Sequence, residues 1–217
     1  MNKTALVQQI KDFVKEEMSR EATGHDWFHV ERVYKMALLI AKNESSVDLF
    51  IIKAAALLHD IPDDKVDTSG RPEDIILKEC LDRFAMDAAD KEKITQIILN
   101  LSFRKNLTTK KKLSKEGQIV QDADRLEALG AIGIGRAFAY GGKKNREMYN
   151  PNIKPQTFTT IDAYRNTNGT TVNHFYEKLF KLKAQLNTKS AKAIAAKRER
   201  FMKDFLKEFY AEWKGKA

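Results

Sequence analysis

Two histidines and two aspartates in the first 124 residues have the types needed to bind a metal ion together. They are His29, the adjacent pair His59 and Asp60, and Asp124, and the whole chain contains only four histidines. Imidazole and carboxylate groups together suit a divalent transition ion. An ion held in a cleft by such groups makes water a nucleophile near neutral pH. The residue types therefore indicate a metal-assisted reaction of water.

Helical periodicity surrounds each of these candidate ligands. Apolar residues at helical spacing predict a first helix over 3–20, a second beginning at Asp26 and a third over 47–60. The Asp26 carboxylate can cap the free amides of the second helix. His29 and His59 then project from helix faces that are otherwise built for the core. Further helices are predicted near 73–86, 90–102, 115–129, 171–187 and 189–214. We expect an all-α fold, a single-domain multi-helix bundle.

The remaining segments predict loops. Pro62 and Gly70 mark a loop over 61–71, and a basic loop is expected over 103–114. Residues 141–170 have little periodicity, which is typical of a lid or a binding loop.

Two further patterns predict packing rather than binding. The glycines between 130 and 135 match neither G-x-G-x-x-G nor a P-loop and follow no strand, so they predict close helix packing. Aromatic residues spaced four apart in the final helix predict core packing rather than a platform for bases. These are Phe201, Phe205, Phe209 and Trp213.

Composition excludes several classes of protein. The longest apolar run is six residues, 36–41, which is too short to span a membrane. The start of the chain lacks the apolar core of a secretory signal. Cys80 is the only cysteine, so no internal disulfide can form and a reducing compartment is compatible. We expect a soluble cytoplasmic protein.

The net charge of +9 can attract nucleic acid, an anionic membrane surface or a phosphorylated small molecule. The charge is spread along the chain, and its densest stretches are 110–112 and the final helix, which are typical of solvated surfaces. A non-catalytic nucleic-acid-binding protein is the weaker interpretation, because little aromatic pattern accompanies the charge. Such binding would weaken steeply with added salt.

The order and context of the candidate ligands resemble one known family. Residues 29–33 read H-x-x-R-V, residues 57–61 read L-L-H-D-I, and residues 123–126 read A-D-x-L. Over about residues 20–140, this pattern resembles the HD superfamily of metal-dependent phosphohydrolases. Residues 121–136 and 173–179 look like a bacterial branch that is similar to small nucleotide pyrophosphohydrolases. The resemblance implies one HD-type phosphohydrolase domain over residues 1–217.

The resemblance also implies a metal site. His29, His59, Asp60 and Asp124 would bind one divalent ion, with Mn²⁺ favoured and Fe, Co, Ni, Zn or Mg possible. Helical geometry alone does not choose between Asp122 and Asp124, which lie about 200° apart around their helix. The family's A-D position selects Asp124, which leaves Asp122 either to orient a ligand or to lie exposed.

Other residues are candidates for the chemistry and for substrate binding. Asp63 and Asp64 stand where the family's guanosine-tetraphosphate hydrolases carry a Glu-Asp pair, and they could position water or take its proton. An ordinary acidic turn is the alternative. His25, four residues before His29, has a spacing known from zinc sites, but we assign it to the substrate or to orienting a ligand. The cationic candidates for binding phosphate are Arg20, Lys65, Arg136 and Lys178.

The expected substrate is a small phosphorylated nucleotide. We expect hydrolysis of nucleoside triphosphates or related nucleotides to the monophosphate and pyrophosphate. A 5′-nucleotidase, or another phosphomonoesterase or phosphodiesterase, would use the same ion with a different pocket shape. The oligomeric state is not predicted.

Overall fold

The computed structural model describes residues 2–18, 26–63, 66–101, 112–157 and 169–216. In this part of the chain there are nine α-helices and no strand, so the expected all-α fold is confirmed. The α-helices are α1 Lys3–Glu17, α2 Trp27–Ala41, α3 Leu49–Leu58, α4 Glu73–Asp82, α5 Ala88–Leu101, α6 Lys115–Glu127, α7 Gly130–Lys143, α8 Thr171–Glu177 and α9 Lys189–Trp213. Among the described helices, none combines the length and apolar character that crossing a membrane requires.

The chain divides into two compact units, Met1–Ala123 and Asp124–Ala217. The division falls within α6, which is one unbroken helix. The expectation of a single domain over residues 1–217 stays a prediction.

Helix α3 forms the centre of the first unit. All of its residues except Leu49 and Lys53 are buried, and α1, α2 and α5 pack against it. A helix that is apolar on almost every side belongs in a core. Because α3 is central, the residues that follow its last turn, His59 and Asp60, are also buried.

Aspartates begin two of the helices in the first unit. The Asp26 carboxylate accepts a hydrogen bond from the backbone N–H of His29 at 2.8 Å, as the sequence predicts. The Asp48 carboxylate accepts one from Phe50 N–H at 2.9 Å. These caps satisfy amides that have no partner within the helix, and they define where α2 and α3 begin.

The second unit is built around aromatic rings from α7, α8 and α9. The Phe138 ring lies 6.1 Å from that of Phe175 and 6.0 Å from that of Phe205, between centroids. The predicted core packing is therefore correct for Phe205, but Phe201 is 52% exposed and Trp213 is 51% exposed. Each four-residue step places the next side chain about 40° further around the α-helix than the one before it. The row of aromatic residues therefore leaves the buried face of α9 at both of its ends.

The prediction of one helix over 171–187 is wrong. Helix α8 ends at Glu177, and Lys178 leaves the helical conformation with φ −132° and ψ −56°. Two short 3₁₀ helices, Leu179–Lys181 and Lys183–Gln185, follow. A 3₁₀ helix has three residues per turn. Leu179 and Leu182 are three residues apart and so lie on one side, and both are buried.

The glycine-rich stretch allows a close approach, as the sequence predicts. Gly130 has φ +79°, and a Cβ at this position would lie 3.0 Å from the Arg198 Cγ. Gly141 and Gly142 belong to α7 rather than to the irregular segment expected over 141–170. Residues 158–168 and 102–111 lie outside the described residues, so the lid and the basic loop stay predictions.

Substitution of two glycines in α7 should have opposite effects on stability. At Gly141 a Cβ would overlap the Thr171 Oγ1, so Gly141→Ala should lower the free energy of unfolding by about 1–3 kcal/mol through overpacking. At Gly135 no heavy atom of the described residues lies within 4 Å of the added Cβ. Gly135→Ala should therefore raise stability by about 1 kcal/mol through helix propensity. Urea denaturation of both variants measures this, and equal effects would contradict the packing.

Candidate metal centre

His29 lies in the first turn of α2 and is fully buried. The Asp26 cap binds the backbone of His29 itself, through the bond described above, so the start of α2 holds this residue in place. Its Nε2 atom is 3.4 Å from the Asp60 Oδ2. The first candidate ligand therefore faces the carboxylate that follows α3.

His59 directly follows the last residue of α3, and its ring has a defined orientation. Its Nδ1 lies 2.9 Å from the backbone carbonyl oxygen of Ala56. A carbonyl oxygen only accepts, so we assign the proton of a neutral imidazole to Nδ1, which leaves the lone pair on Nε2. Metal-binding histidines commonly donate their other ring N–H in this way. The Nε2 atom of His59 is therefore the ring nitrogen that could bind an ion.

The Asp60 carboxylate lies between the two imidazoles. Its Oδ1 is 3.3 Å from the His59 Nε2, and its Oδ2 is 3.4 Å from the His29 Nε2. These separations exceed the usual hydrogen-bond range. Two donors that each lie about 2.1 Å from one ion are about 3.0 Å apart at an octahedral angle and about 3.4 Å apart at a tetrahedral one. The spacing therefore fits ligands of a common ion.

Asp124 completes the group from α6. One ligand atom each from His29, His59 and Asp124 lies within 4.8 Å of the other two. The imidazole rings of the two histidines are 5.5 Å apart between centroids. His29, His59 and Asp124 therefore form one group, and Asp60 lies against both of its histidines. This donor set fits a divalent transition ion and could hold one.

The structure excludes one of the two roles that the sequence leaves open for Asp122. Asp122 is fully buried, so the alternative that it lies exposed is wrong. It shares α6 with Asp124, and it is Asp124 that belongs to the group with the two histidines. A role for Asp122 in orienting a ligand stays a prediction.

Asp63 lies in the turn after α3, shortly after the candidate ligands His59 and Asp60 in the chain. Its backbone N–H donates to the Asp60 carbonyl at 3.1 Å, and the residue is partly buried. The other predicted residues in and near this region lie outside the described residues. These are Arg20, His25, Asp64 and Lys65.

The two described cationic candidates have different surroundings. The Arg136 Nη1 lies 4.0 Å from the Oε2 of Glu127, a carboxylate that is only 3% exposed. Lys178 is partly buried and lies near His174 and Arg146. Burial, then the charges of Lys178 and Arg146, lower the pKa of His174 to about 3. No motif indicated Arg146, because it follows the end of α7 and approaches α8 only in the folded chain.

Comparisons with known proteins find a family model and relatives that match this chain. The family model described as "HD domain" matches residues 27–129. YpgQ from Bacillus subtilis is 36% identical over 212 residues, covering 96% of this chain and 94% of YpgQ.

Solved structures match almost the whole chain. A Lactobacillus plantarum protein has a TM-score of 0.83 and 40% identity, covering 97% of this chain and 98% of that one. The crystal structure of B. subtilis YpgQ in complex with ADP has a TM-score of 0.78 and 32% identity in the structural alignment, covering 98% and 97%. A Bacillus thuringiensis HD-superfamily hydrolase has a TM-score of 0.77 and 39% identity, covering 98% and 99%.

Stability should fall in mild acid because of His174. Its pKa in the folded protein, about 3, is below the ordinary value of 6.5, so the unfolded chain binds the proton first. Its stabilising effect is complete above pH 6.5 and decreases as the pH falls toward 3, by up to about 1.4 kcal/mol per pH unit. The free energy of unfolding of His174→Gln, measured in urea between pH 7 and 4.5, should depend less on pH than that of wild type. Parallel pH profiles would contradict a neutral imidazole in the folded protein.

Proposed function

The chain belongs to the HD superfamily of metal-dependent phosphohydrolases, and we propose that it hydrolyses nucleoside triphosphates or related nucleotides to the monophosphate and pyrophosphate. The observation that carries the proposal is the grouping of His29, His59 and Asp124, with Asp60 against both histidines. Further support for a nucleotide substrate comes from YpgQ, whose crystal structure contains ADP.

In this proposal the four converging residues are the ligands of one divalent ion, with Mn²⁺ favoured and Fe, Co, Ni, Zn or Mg possible. Such an ion polarises a phosphoryl oxygen and lowers the pKa of bound water. His59 contributes its Nε2, because its Nδ1 is engaged by the Ala56 carbonyl. Asp60 presents one oxygen toward the Nε2 of each histidine, so its carboxylate lies beside both of the proposed imidazole ligands.

The acids after α3 move the proton. The oxygen of water forms a bond to the α-phosphorus, the bond from that phosphorus to the bridging oxygen breaks, and pyrophosphate leaves with the electron pair. We assign the water's proton to Asp63 or Asp64. The backbone bond from Asp63 to Asp60 supports this assignment, since it ties the acid to a metal ligand three residues away. Asp64 lies outside the described residues.

Cationic groups bind the phosphates. Lys178 has the strongest support, because Arg146 also lies near the ring of His174 and the two charges there would attract a polyphosphate. Arg136 would have to share its charge between the substrate and Glu127. Arg20, His25 and Lys65 complete the proposed set and lie outside the described residues.

A cytoplasmic location and one functional domain over residues 1–217 are also part of the proposal. The only cysteine, Cys80, is buried, and burial raises the pKa of its thiol to about 12. A free thiol of this kind is compatible with a reducing compartment. The continuity of α6 across the two units supports a single domain, because the ligand Asp124 lies on that helix.

With Mn²⁺, the protein should convert a nucleoside triphosphate to equal amounts of monophosphate and pyrophosphate, measured by chromatography and ³¹P NMR. Excess chelator should abolish turnover. His59→Ala and Asp124→Asn should each lower kcat/KM by at least about 100-fold, since the ion supplies several kcal/mol of transition-state stabilisation. The control is Asp204→Asn, an exposed acid on α9, which should behave as wild type.

Two results of that assay would count against the proposal. Turnover by the two ligand variants equal to that of wild type would exclude the proposed metal site. Release of orthophosphate from a nucleoside monophosphate, with no pyrophosphate from the triphosphate, would instead indicate a 5′-nucleotidase on the same scaffold.

Removal of the Lys178 charge should mainly affect substrate binding. Lys178→Ala should raise KM for the triphosphate by roughly 10- to 100-fold, because a hydrogen bond to a charged group contributes about 1.5–3 kcal/mol. The control is Lys181→Ala, an exposed lysine three residues later. Steady-state kinetics at several substrate concentrations separate KM from kcat. An equal KM for both variants would remove Lys178 from the phosphate site.

A further inference from the structure

The last turn of α6 carries Asp124 and ends at Glu127. At a helix end the final carbonyl groups have no partner within the helix. The carbonyl of Leu126 accepts one hydrogen bond from the backbone N–H of Leu129 at 3.0 Å and a second from the Nη1 of Arg198, a residue on α9. The end of the helix that bears a candidate metal ligand is thus bound by a side chain from a distant part of the sequence.

Arg198 is held closely at this position. A Cβ on Gly130 would lie 3.0 Å from its Cγ and 3.3 Å from its Cβ and Cδ. The aliphatic part of Arg198 therefore packs closely against Gly130, just after α6. The positive φ of Gly130, +79°, lets the chain turn from α6 into α7 at this point.

Charge reinforces the contact. Burial lowers the pKa of Arg198, and the nearby Glu127 carboxylate acts in the opposite direction. Glu127 is 3% exposed and also lies 4.0 Å from the Arg136 Nη1. Positive charge is favourable beside the carbonyl end of a helix. Arg198 is partly buried, and a guanidinium that leaves water is destabilising unless groups such as these compensate.

We infer that Arg198 is a positioning residue for Asp124. By binding the Leu126 carbonyl and lying beside Glu127, it fixes the last turn of α6 and so orients the Asp124 carboxylate toward the two histidines. The inference rests on the proposed function, because it takes Asp124 as a ligand of the ion. Arg198 acts on the ion only through α6. Groups that orient metal ligands typically contribute 10- to 100-fold to metal affinity.

The test measures metal binding by the full chain without substrate. Arg198→Met keeps the aliphatic part and removes the guanidinium, whereas Arg198→Lys keeps a charge and a donor. Arg200→Met, an exposed arginine two residues later on α9, is the matched control. Mn²⁺ affinity by calorimetry, the visible spectrum of bound Co²⁺ and the Tm are recorded for each.

Arg198→Met should weaken Mn²⁺ binding by about tenfold or more and change the Co²⁺ spectrum. Arg198→Lys should restore most of the affinity, and Arg200→Met should match wild type. If Arg198→Met does not fold, Glu127→Gln replaces it, with a smaller loss of affinity expected together with an altered Co²⁺ spectrum. Wild-type affinity and spectrum in the folded Arg198 variant, or in Glu127→Gln where that variant replaces it, would overturn the positioning role.

Asp124→Asn in the same experiment separates the two proposals. If it binds Mn²⁺ as wild type does, the ligand set of the proposed function is wrong, and the positioning role is lost with it. If it binds weakly while folded Arg198→Met binds normally, Asp124 stands as a ligand and only the positioning role is overturned.

Discussion

The burial of the Asp60 carboxylate between two imidazoles is the constraint on which the rest of the structure depends. Asp60 is 6% exposed and His29 is fully buried, in a unit whose central helix is apolar on almost every side. An ionised carboxylate in such surroundings is strongly destabilising unless opposite charge or hydrogen bonds compensate. Close by, one ligand atom each from His29, His59 and Asp124 lies within 4.8 Å of the other two, a spacing at which a cation could supply opposite charge.

Each candidate ligand lies on a helix, or just after one, and other groups hold the end of that helix. Asp26 begins α2, the Ala56 carbonyl orients the ring that follows α3, and Arg198 binds the end of α6. Sites built on helices are more precise than sites built on loops, because the backbone cannot shift without breaking its own hydrogen bonds. Asp63 belongs instead to a turn, where the backbone can adjust to a substrate.

Local signals explain which parts of this structure were predictable. The Asp26 cap and the apolar spacing of α2 and α3 are properties of neighbouring residues, so the helices and the depth of the two histidines follow from the sequence. The end of α8 at Lys178 and the exposure of Phe201 depend on which faces meet in the second unit, and periodicity does not reveal that. Arg198 was missed for the same reason, since its partner at Leu126 is 72 residues away.

The fold explains part of the net positive charge of the chain. Arg198 and Arg136 lie beside the Glu127 carboxylate inside the second unit, so they are not part of a solvated basic surface. Lys178 and Arg146 instead face His174, whose neutral ring adds no charge to theirs at neutral pH. Of the lysines at 110–112, only Lys112 lies among the described residues. A site for a few phosphates therefore has more structural support than a long surface for nucleic acid, which would need many separate backbone contacts.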